Sequence, residues 1–216
     1  MDGSLDGCRT VGIVGGGASG TLSAIHLVDA AMTAGRAVLV LLVEPEQPGA
    51  GVAYSTTDPR HRLNVPAGRM SAYPNDPGHF VAWLRRHVDA TFSEHAFASR
   101  MHHGEYLRAV LDDTVARAEW AGTRLEVLRT RATDVRKHGR RWRLGLADGT
   151  RRSCDAVILA TGAGRPSTAW APAARNASGW SEASEPATIT RAPVVRASPI
   201  IWQAASRMRA RHILVR

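Results

Sequence analysis

The feature that most constrains the fold is a set of glycines between a predicted strand and a predicted helix. Residues 10–14 form a short apolar run typical of a buried strand, and Gly15, Gly17 and Gly20 follow it with the spacing Gly-x-Gly-x-x-Gly. In this pattern the first glycine permits a tight turn, the second lets the backbone approach a diphosphate, and the third lets helix and strand pack closely. The pattern therefore predicts a dinucleotide-binding loop.

The segments around this loop predict a β-α-β unit. Apolar residues recur at helical spacing over residues 18–32, and Gly35 is a plausible helix stop. The N–H groups of Ala18 and Ser19, at the start of this helix, would face the phosphates. Residues 37–43 form a continuous apolar run, as expected of a parallel strand covered on both faces.

The second strand of this unit ends in an acid. Glu44 lies 24 positions after Gly20. A carboxylate at this place can accept hydrogen bonds from ribose hydroxyls, and it would repel a 2′-phosphate. The sequence therefore favours FAD or NAD over NADP at this loop.

The rest of the chain continues the α/β pattern. Residues 44–75 form a long polar stretch rich in Gly and Pro, and loops of this length are usually functional or disordered. A helix is expected after Asp76 as N-cap with Pro77 at its first position, and a second over residues 103–121. The predicted strands are 124–128, 132–136, 141–147 and 155–160, with a hairpin turn at Asp148-Gly149.

The last of these strands ends in Ala160-Thr161-Gly162, and small residues there let a cofactor approach the carboxyl edge of a sheet. Beyond residue 166 no period is sustained, although 212–215 could begin another strand. We therefore divide the chain into an α/β domain, residues 1–166, and an irregular tail of weak order, residues 167–216.

Charge and composition exclude several function classes. The net charge is +9, yet 27 of the 28 basic residues are Arg, and residues 163–216 hold eight basic and two acidic side chains. No basic stripe interleaved with aromatic residues accompanies this charge, so we expect no nucleic-acid partner.

The two cysteines and the adjacent His102 and His103 have no metal-site spacing, so we expect no metal. The acidic N-terminus and the short apolar runs predict a cytoplasmic protein without a membrane partner.

At this point the motifs resemble a known family. The order of glycine loop, acid-tipped strand, β-meander and Ala-Thr-Gly resembles the Rossmann-like, doubly wound FAD domain of the flavoproteins with two dinucleotide-binding domains. Further segments resemble the FAD/NAD(P)-binding proteins that include the urate hydroxylase and aspartate N-hydroxylase flavoproteins. These segments are Gly51-Val-Ala-Tyr54-Ser, His61-Arg-Leu-Asn64-Val-Pro66-Ala, Met70-Ser71, Asn75-Asp-Pro-Gly-His-Phe80, Trp83-Leu84 and Gly104-Glu-Tyr106-Leu107.

The resemblance spans about residues 9–166 and implies an FAD-dependent monooxygenase that uses NAD(P)H, oxygen and a small-molecule substrate. It implies that the three glycines of the loop hold the FAD diphosphate and that Glu44 holds the ribose. Thr161 and Gly162 would lie near the cofactor, and the segments containing Tyr54 and Asn64 would line the flavin side. No catalytic acid, base or nucleophile is assigned, because the flavin carries the reactive oxygen.

The chain departs from the family after the Ala-Thr-Gly strand. Family members continue into a second nucleotide-binding fold for NAD(P)H, and no second glycine motif follows here. The hypothesis from sequence is therefore a truncated flavoprotein whose NAD(P)H site is missing. A noncatalytic dinucleotide-binding module or subunit is the alternative. A small NAD-dependent dehydrogenase is disfavoured because Lys137 is the single lysine and no Tyr-x-x-x-Lys pair exists. The oligomeric state stays open.

Overall fold

Residues 8–162 and 213–215 are described by the computed structural model, and they form a mixed α/β fold in three layers. A parallel sheet lies in the middle, helices cover one face, and a β-meander covers the other. The predicted tail, 167–216, lies outside the described residues apart from 213–215. In chain order the elements are β1 (Arg9–Val14), α1 (Ala18–Thr33), β2 (Val38–Val43), α2 (Gly51–Tyr54), a 3₁₀ turn (Ala67–Arg69), α3 (His79–His87), α4 (Arg100–Trp120), β3 (Arg124–Leu128), β4 (Ala132–His138), β5 (Arg141–Leu146), β6 (Arg151–Cys154), β7 (Ala156–Leu159) and β8 (Ile213–Val215).

The central sheet has the strand order β3-β2-β1-β7-β8. Four of its strands are parallel, and β8 pairs antiparallel with β7. The predicted β-α-β unit is confirmed, with β1 and β2 paired along their whole length. Since β1 is central and its parallel neighbours end at the same edge, the loop that follows it lies at the carboxyl edge of the sheet, where open α/β sheets bind ligands.

The continuous apolar run in β2 has the predicted cause, because both of its faces are covered. Val40 and Leu42 join the core formed with the helices. Leu41 and Val43 pack instead with residues of the meander and of β7. Alternate side chains of a strand point to opposite faces, so a strand between two layers needs apolar residues at every position.

The helix layer consists mainly of α1 and α4, which share one buried cluster. An ion pair joins them, with the Arg117 guanidinium 2.9 Å from the Asp29 carboxylate. Gly35 ends α1 as predicted: its φ is +59°, and the N–H of Arg36 donates to the carbonyl of Ala31 at 2.9 Å. A residue with this backbone conformation closes the last helical turn, and glycine adopts it without steric cost.

The meander layer contains β4, β5 and β6 in that order. The predicted antiparallel pairing of β4 with β5 and the turn at Asp148-Gly149 are confirmed, whereas β6 is not among the predicted strands. The inner face of the meander carries Leu144 and Cys154, both fully buried. Gly12 of β1 makes room for this layer, because a Cβ on Gly12 would lie 3.0 Å from the sulfur of Cys154. Burial raises the pKa of the Cys154 thiol to about 11, so the thiol stays neutral and acts as an apolar group.

Two helix starts differ from the prediction. The helix expected after Asp76 begins at His79, and Asp76 accepts the His79 N–H through its backbone carbonyl, at 3.2 Å, with no side-chain cap. The helix expected from residue 103 begins at Arg100, where the hydroxyl of Ser99 accepts the N–H of Met101 at 3.2 Å. The first turn of α4 does not carry apolar residues at helical spacing. The spacing of apolar residues therefore predicts a helix start that is one turn too late.

A group of buried aromatic and histidine side chains joins α4 to the irregular segment before α3. The Tyr106 hydroxyl accepts the N–H of Ala72 at 2.9 Å and lies 2.7 Å from Nδ1 of His79. His103 is 1% exposed, and its Nε2 donates to the carbonyl of Met70 at 3.2 Å. Among the described residues no group partners its Nδ1. Burial lowers the pKa of His103 to about 4, so the ring is neutral at pH 7.

This burial predicts a loss of stability in mild acid. The folded pKa, about 4, is below the unfolded value of 6.5, so the unfolded chain binds the proton first and the fold is destabilised as the pH falls from 6.5 towards 4. The full effect is on the order of 3 kcal/mol. His103→Gln should reduce this pH dependence of the free energy of unfolding, measured by urea denaturation between pH 7 and 4.5.

His95→Gln serves as the matched control, because its side chain is 86% exposed and its loss removes one histidine without touching the core. The control should keep the wild-type decline in acid. An identical decline in the His103→Gln protein would show that this buried ring does not cause it.

Candidate dinucleotide-binding site

The glycine loop is shaped by the end of β7 as well as by β1. Gly15 has φ +97°, and its N–H donates to the carbonyl of Val43 at 2.9 Å. A Cβ on Gly15 would collide with the backbone carbonyl of Ala160, and a Cβ on Gly20 would collide with the carbonyl of Gly15. Both glycines are therefore required by the packing of the loop on its own chain.

Gly17 has a different environment. It is the N-cap of α1, with φ −61° and ψ −175°, and a Cβ there would contact only the Cα of Gly51, at 3.5 Å. Within the described residues, no acceptor takes a hydrogen bond from the N–H of Ala18, Ser19 or Gly20. Bare N–H groups at a helix start, beside a residue without a side chain, suit a diphosphate anion.

Glu44 is held against the loop by two backbone N–H groups. Its Oε2 accepts the N–H of Gly16 at 2.6 Å, and its Oε1 accepts the N–H of Glu46 at 3.0 Å. A Cβ on Gly16 would lie 2.6 Å from the Cβ of Glu44, so this approach requires glycine. The carboxylate is half-buried, and each oxygen keeps a lone pair for a further donor such as a ribose hydroxyl.

A short segment, residues 49–54, covers one side of the loop and is named here the cover segment. The N–H of Gly49 donates to the Gly16 carbonyl at 2.8 Å and to the hydroxyl of Thr21 at 2.9 Å. Thr21, which is fully buried, donates in turn to the Gly16 carbonyl at 2.8 Å. Gly51 has φ +51° and stands against Gly17. Sequence analysis missed Thr21 and Gly49, because the threonine lies inside a regular helical pattern and Gly49 in an aperiodic stretch.

Tyr54 ends the cover segment and packs on α4. Its ring centroid lies 4.6 Å from that of His103, and burial raises the pKa of its hydroxyl. A Cβ on Gly104 would lie 2.8 Å from the Tyr54 carbonyl, so glycine at this point of α4 lets the segment approach. Val52 of the same segment is 84% exposed, which places an apolar side chain in the open beside the loop.

The other predicted site residues lie at two places. The Cα of Thr161 would be 3.2 Å from a Cβ on Gly15, so Thr161 and Gly162 follow β7 directly beside the loop, and both are exposed. Asn64 is exposed on a segment whose neighbour Leu63 bonds to the carbonyl of Ala98. No hydrogen bond of the described residues joins Asn64 to the loop. Among the predicted positions, the structure thus brings the loop glycines, Glu44, Thr161 and Gly162 together, whereas Tyr54 packs on α4.

Within residues 8–162 and 213–215, no three His, Cys, Asp or Glu side chains are grouped so that they could hold a metal ion. The same residues contain no helix with the length and hydropathy needed to cross a membrane.

Comparisons with known proteins were made for the sequence and for the fold. A family model described as FAD-NAD(P)-binding matches residues 12–164, which is more than two thirds of the chain. No curated protein matches. The open crystal structure of cyclohexanone monooxygenase is 15% identical and has a TM-score of 0.50, with 71% of this chain and 27% of that chain covered. At this identity the likeness shows the fold alone.

Two other solved structures are similar at lower TM-scores. A flavin-containing monooxygenase from Stenotrophomonas maltophilia is 26% identical with a TM-score of 0.48, covering 71% of this chain and 39% of that one. OTEMO in complex with FAD and NADP is 22% identical with a TM-score of 0.46, covering 72% and 26%. The chain thus spans less than two fifths of the length of the solved structures named here.

The environment of Gly17 predicts that a small side chain there affects binding and spares the fold. Gly17→Ala should lower the free energy of unfolding by no more than about 1 kcal/mol, because its Cβ meets only one atom and the cost is confined to the weaker preference of an N-cap for alanine than for glycine. The same change should weaken FAD binding at least about tenfold, since the methyl group projects where the diphosphate would lie. Fluorescence titration and urea denaturation measure the two quantities.

Gly78→Ala is the matched control. Gly78 is also a helix N-cap with negative φ, and its Cβ would lie 3.7 Å from one carboxylate oxygen of Asp76. FAD affinity should be unchanged in this protein. Equal affinity in the Gly17→Ala and Gly78→Ala proteins would contradict the assignment of the loop.

Proposed function

The chain belongs to the FAD-NAD(P)-binding family, and from that premise we propose that it is the FAD-binding part of a flavin-dependent monooxygenase that uses NAD(P)H and oxygen. The observation that carries the FAD assignment is the environment of Gly17. Its neighbours leave space where a side chain would be tolerated, and the free N–H groups of the α1 start border that space. A helix start with unpaired N–H donors that border open space has room for a ligand with phosphate oxygens.

The position of Glu44 supports FAD over a 2′-phosphorylated dinucleotide. Two backbone N–H groups fix its carboxylate, which leaves its free lone pairs for neutral hydroxyl donors. A phosphate at the ribose 2′ position would bring a second negative charge against this carboxylate, which is unfavourable. The adenosine ribose of FAD carries hydroxyls at both positions and fits this charge pattern.

The finer placement within the family rests on the resemblance of the middle of the chain. The segments that begin at Gly51, His61 and Asn75 resemble those of the group that includes the urate hydroxylase and aspartate N-hydroxylase flavoproteins. We propose on this basis that the substrate is a small molecule that is hydroxylated. We also propose residues 1–166 as the FAD-binding domain, because every assigned site residue lies within it.

Bound FAD would supply the redox and oxygen chemistry. In this proposal the role of the chain is to bind and orient the cofactor. The start of α1 holds the diphosphate, and Glu44 holds the adenosine ribose. We propose that the segments containing Tyr54 and Asn64 line the flavin side and exclude water from it, and that Thr161 and Gly162 lie near the cofactor beside the glycine loop. This proposal assigns no residue as general acid or base.

Replacement of Glu44 tests the ribose contact. Glu44→Gln should weaken FAD binding about ten- to hundredfold, because a hydrogen bond to a charged group contributes about 1.5–3 kcal/mol. The amide oxygen can accept only one of the two N–H groups that Glu44 binds, those of Gly16 and Glu46, so the free energy of unfolding is measured beside the affinity to separate a loss of loop order from a loss of the ribose contact. Glu46→Gln is the control, since only the backbone N–H of Glu46 contacts Glu44. Unchanged affinity in the Glu44→Gln protein would contradict the contact.

Turnover assays separate the proposal from its alternative. Because the sequence predicts that the NAD(P)H site is missing, FAD bound to the purified chain is reduced photochemically and then mixed with oxygen and a panel of small amine, acid and purine substrates. Formation of a hydroxylated product supports the monooxygenase assignment. Tight FAD binding without hydroxylation of any substrate favours a noncatalytic dinucleotide-binding module or subunit. Failure to bind FAD contradicts both assignments.

A further inference from the structure

The outer face of the β-meander carries an unusual set of charges. Arg136 of β4 stands directly opposite Arg143 of β5, and His138 stands opposite Arg141. On the same face, Arg151 of β6 pairs with Gly145 of β5. Alternation along the strands turns these residues away from the inner face, where Leu144 and Cys154 are buried. We name Arg136, His138, Arg143 and Arg151 the arginine face.

The positive charge of this face is only partly neutralised. Arg136 is paired with Asp134, with Nε 3.2 Å from the carboxylate, and is 81% exposed. In the part of the chain that the structure describes, no carboxylate lies within 4.0 Å of the guanidinium of Arg143 or Arg151. Residues 129–152 together contain nine basic and two acidic side chains. The meander is therefore strongly basic by itself.

This arrangement has an energetic cost in the free protein. Like charges directly opposite each other on neighbouring strands destabilise the sheet. Other faces of the chain place acids beside arginines, as Asp29 and Asp113 lie beside Arg117. A bound anion would relieve the repulsion between Arg136 and Arg143.

The arginine face is also concave. A groove of about 240 Å³ is bordered by Asp134, Arg136, Lys137, His138, Arg143 and Arg151. The space above Gly145 is occupied by the carboxylate of Asp134, which is paired with Arg136, so the guanidinium groups of Arg143 and Arg151 are the ones left for a bound anion. Guanidinium groups on several sides of a groove of this size match a compact, multiply charged anion, since each can donate two hydrogen bonds to phosphate oxygens.

We propose that this groove binds the phosphate group of a small molecule, at a site separate from the glycine loop. The phosphate can be free or part of a phosphorylated metabolite. Nucleic acid fits less well, because the one aromatic residue among 129–155, Trp142, lies on the opposite face beside Cys154 and offers no ring for base stacking. The inference does not depend on the proposed function, because the outer face of the meander is turned away from the parallel sheet.

The test uses the full chain with and without added FAD, and the groove variants separate phosphate binding in the groove from phosphate binding at the glycine loop. Inorganic phosphate and pyrophosphate are titrated by calorimetry in a chloride buffer. Arg143→Gln and Arg151→Gln should each weaken binding about two- to fivefold, and the double variant roughly tenfold. Arg86→Gln, an exposed arginine of α3, is the matched control and should bind as the wild type does. A phosphorylated sugar serves as the second arm: tighter binding than inorganic phosphate assigns the groove to a phosphorylated metabolite, and equal binding assigns it to the free anion.

A second measurement concerns the free protein. Without phosphate and at low salt, Arg143→Gln should raise the melting temperature, because it removes one of two opposed charges. The difference in melting temperature between the Arg143→Gln protein and the wild type should become smaller as phosphate is added to both. If the double variant does not fold, as judged by circular dichroism, the two single variants still decide the outcome.

Three results would overturn the proposal. The first is no phosphate or pyrophosphate binding up to the highest concentration tested. The second is equal affinity in the wild type and in all the groove variants. The third is binding of a short single-stranded oligonucleotide more tightly than of pyrophosphate, with loss of affinity in the same variants, which would assign the face to nucleic acid instead.

Discussion

The fold and the candidate site depend on the hydrogen bonds made by two consecutive backbone groups at the tip of β1. The N–H of Gly15 donates to the last residue of β2, at 2.9 Å, and the N–H of Gly16 donates to the carboxylate of Glu44 at 2.6 Å. On the other side, the end of β7 lies so close to Gly15 that no side chain fits there. The ends of β2 and β7 are thus held in place beside the start of α1. The groups that would face a dinucleotide are positioned by the same contacts that stabilise the sheet.

The glycines of the motif have different physical causes. Gly15, Gly16 and Gly20 are required by the chain itself, because a Cβ at any of them would overlap a neighbouring group. Gly17 meets no such obstacle on its open side. A sequence pattern gives these positions equal weight, whereas the packing separates the three that the fold requires from the one that it does not require. This difference explains why loss of binding and loss of folding can be measured independently at this loop.

Sequence reasoning predicted those parts of the fold whose signals are local. The β-α-β unit follows from the spacing of apolar residues, and the meander follows from alternation and from the turn at Asp148-Gly149. The role of Thr21 and the path of the cover segment depend on contacts with residues far along the chain, at Gly49 and Gly104. Aperiodic residues held by close backbone approach give no local signal, so 44–75 could be predicted only as a functional or disordered loop. Asn64 was assigned by resemblance, and its exposed position keeps that assignment a prediction.

The charge of a surface depends on strand pairing as well as on the sequence. Counted along the chain, residues 129–152 hold a net charge of +7 and residues 163–216 one of +6. In the folded meander, antiparallel pairing brings Arg136 and Arg143 together across two strands and adds Arg151 from a third, so part of this charge is concentrated on one face. The same alternation places apolar residues on the inner face, where they pack against β1 and β2. Burial of the apolar inner face thus fixes the strand register. The register in turn places the arginines of the outer face close enough to repel one another. A ligand responds to that local field, so the charge of a face, more than the net charge of a segment, determines what the meander can bind.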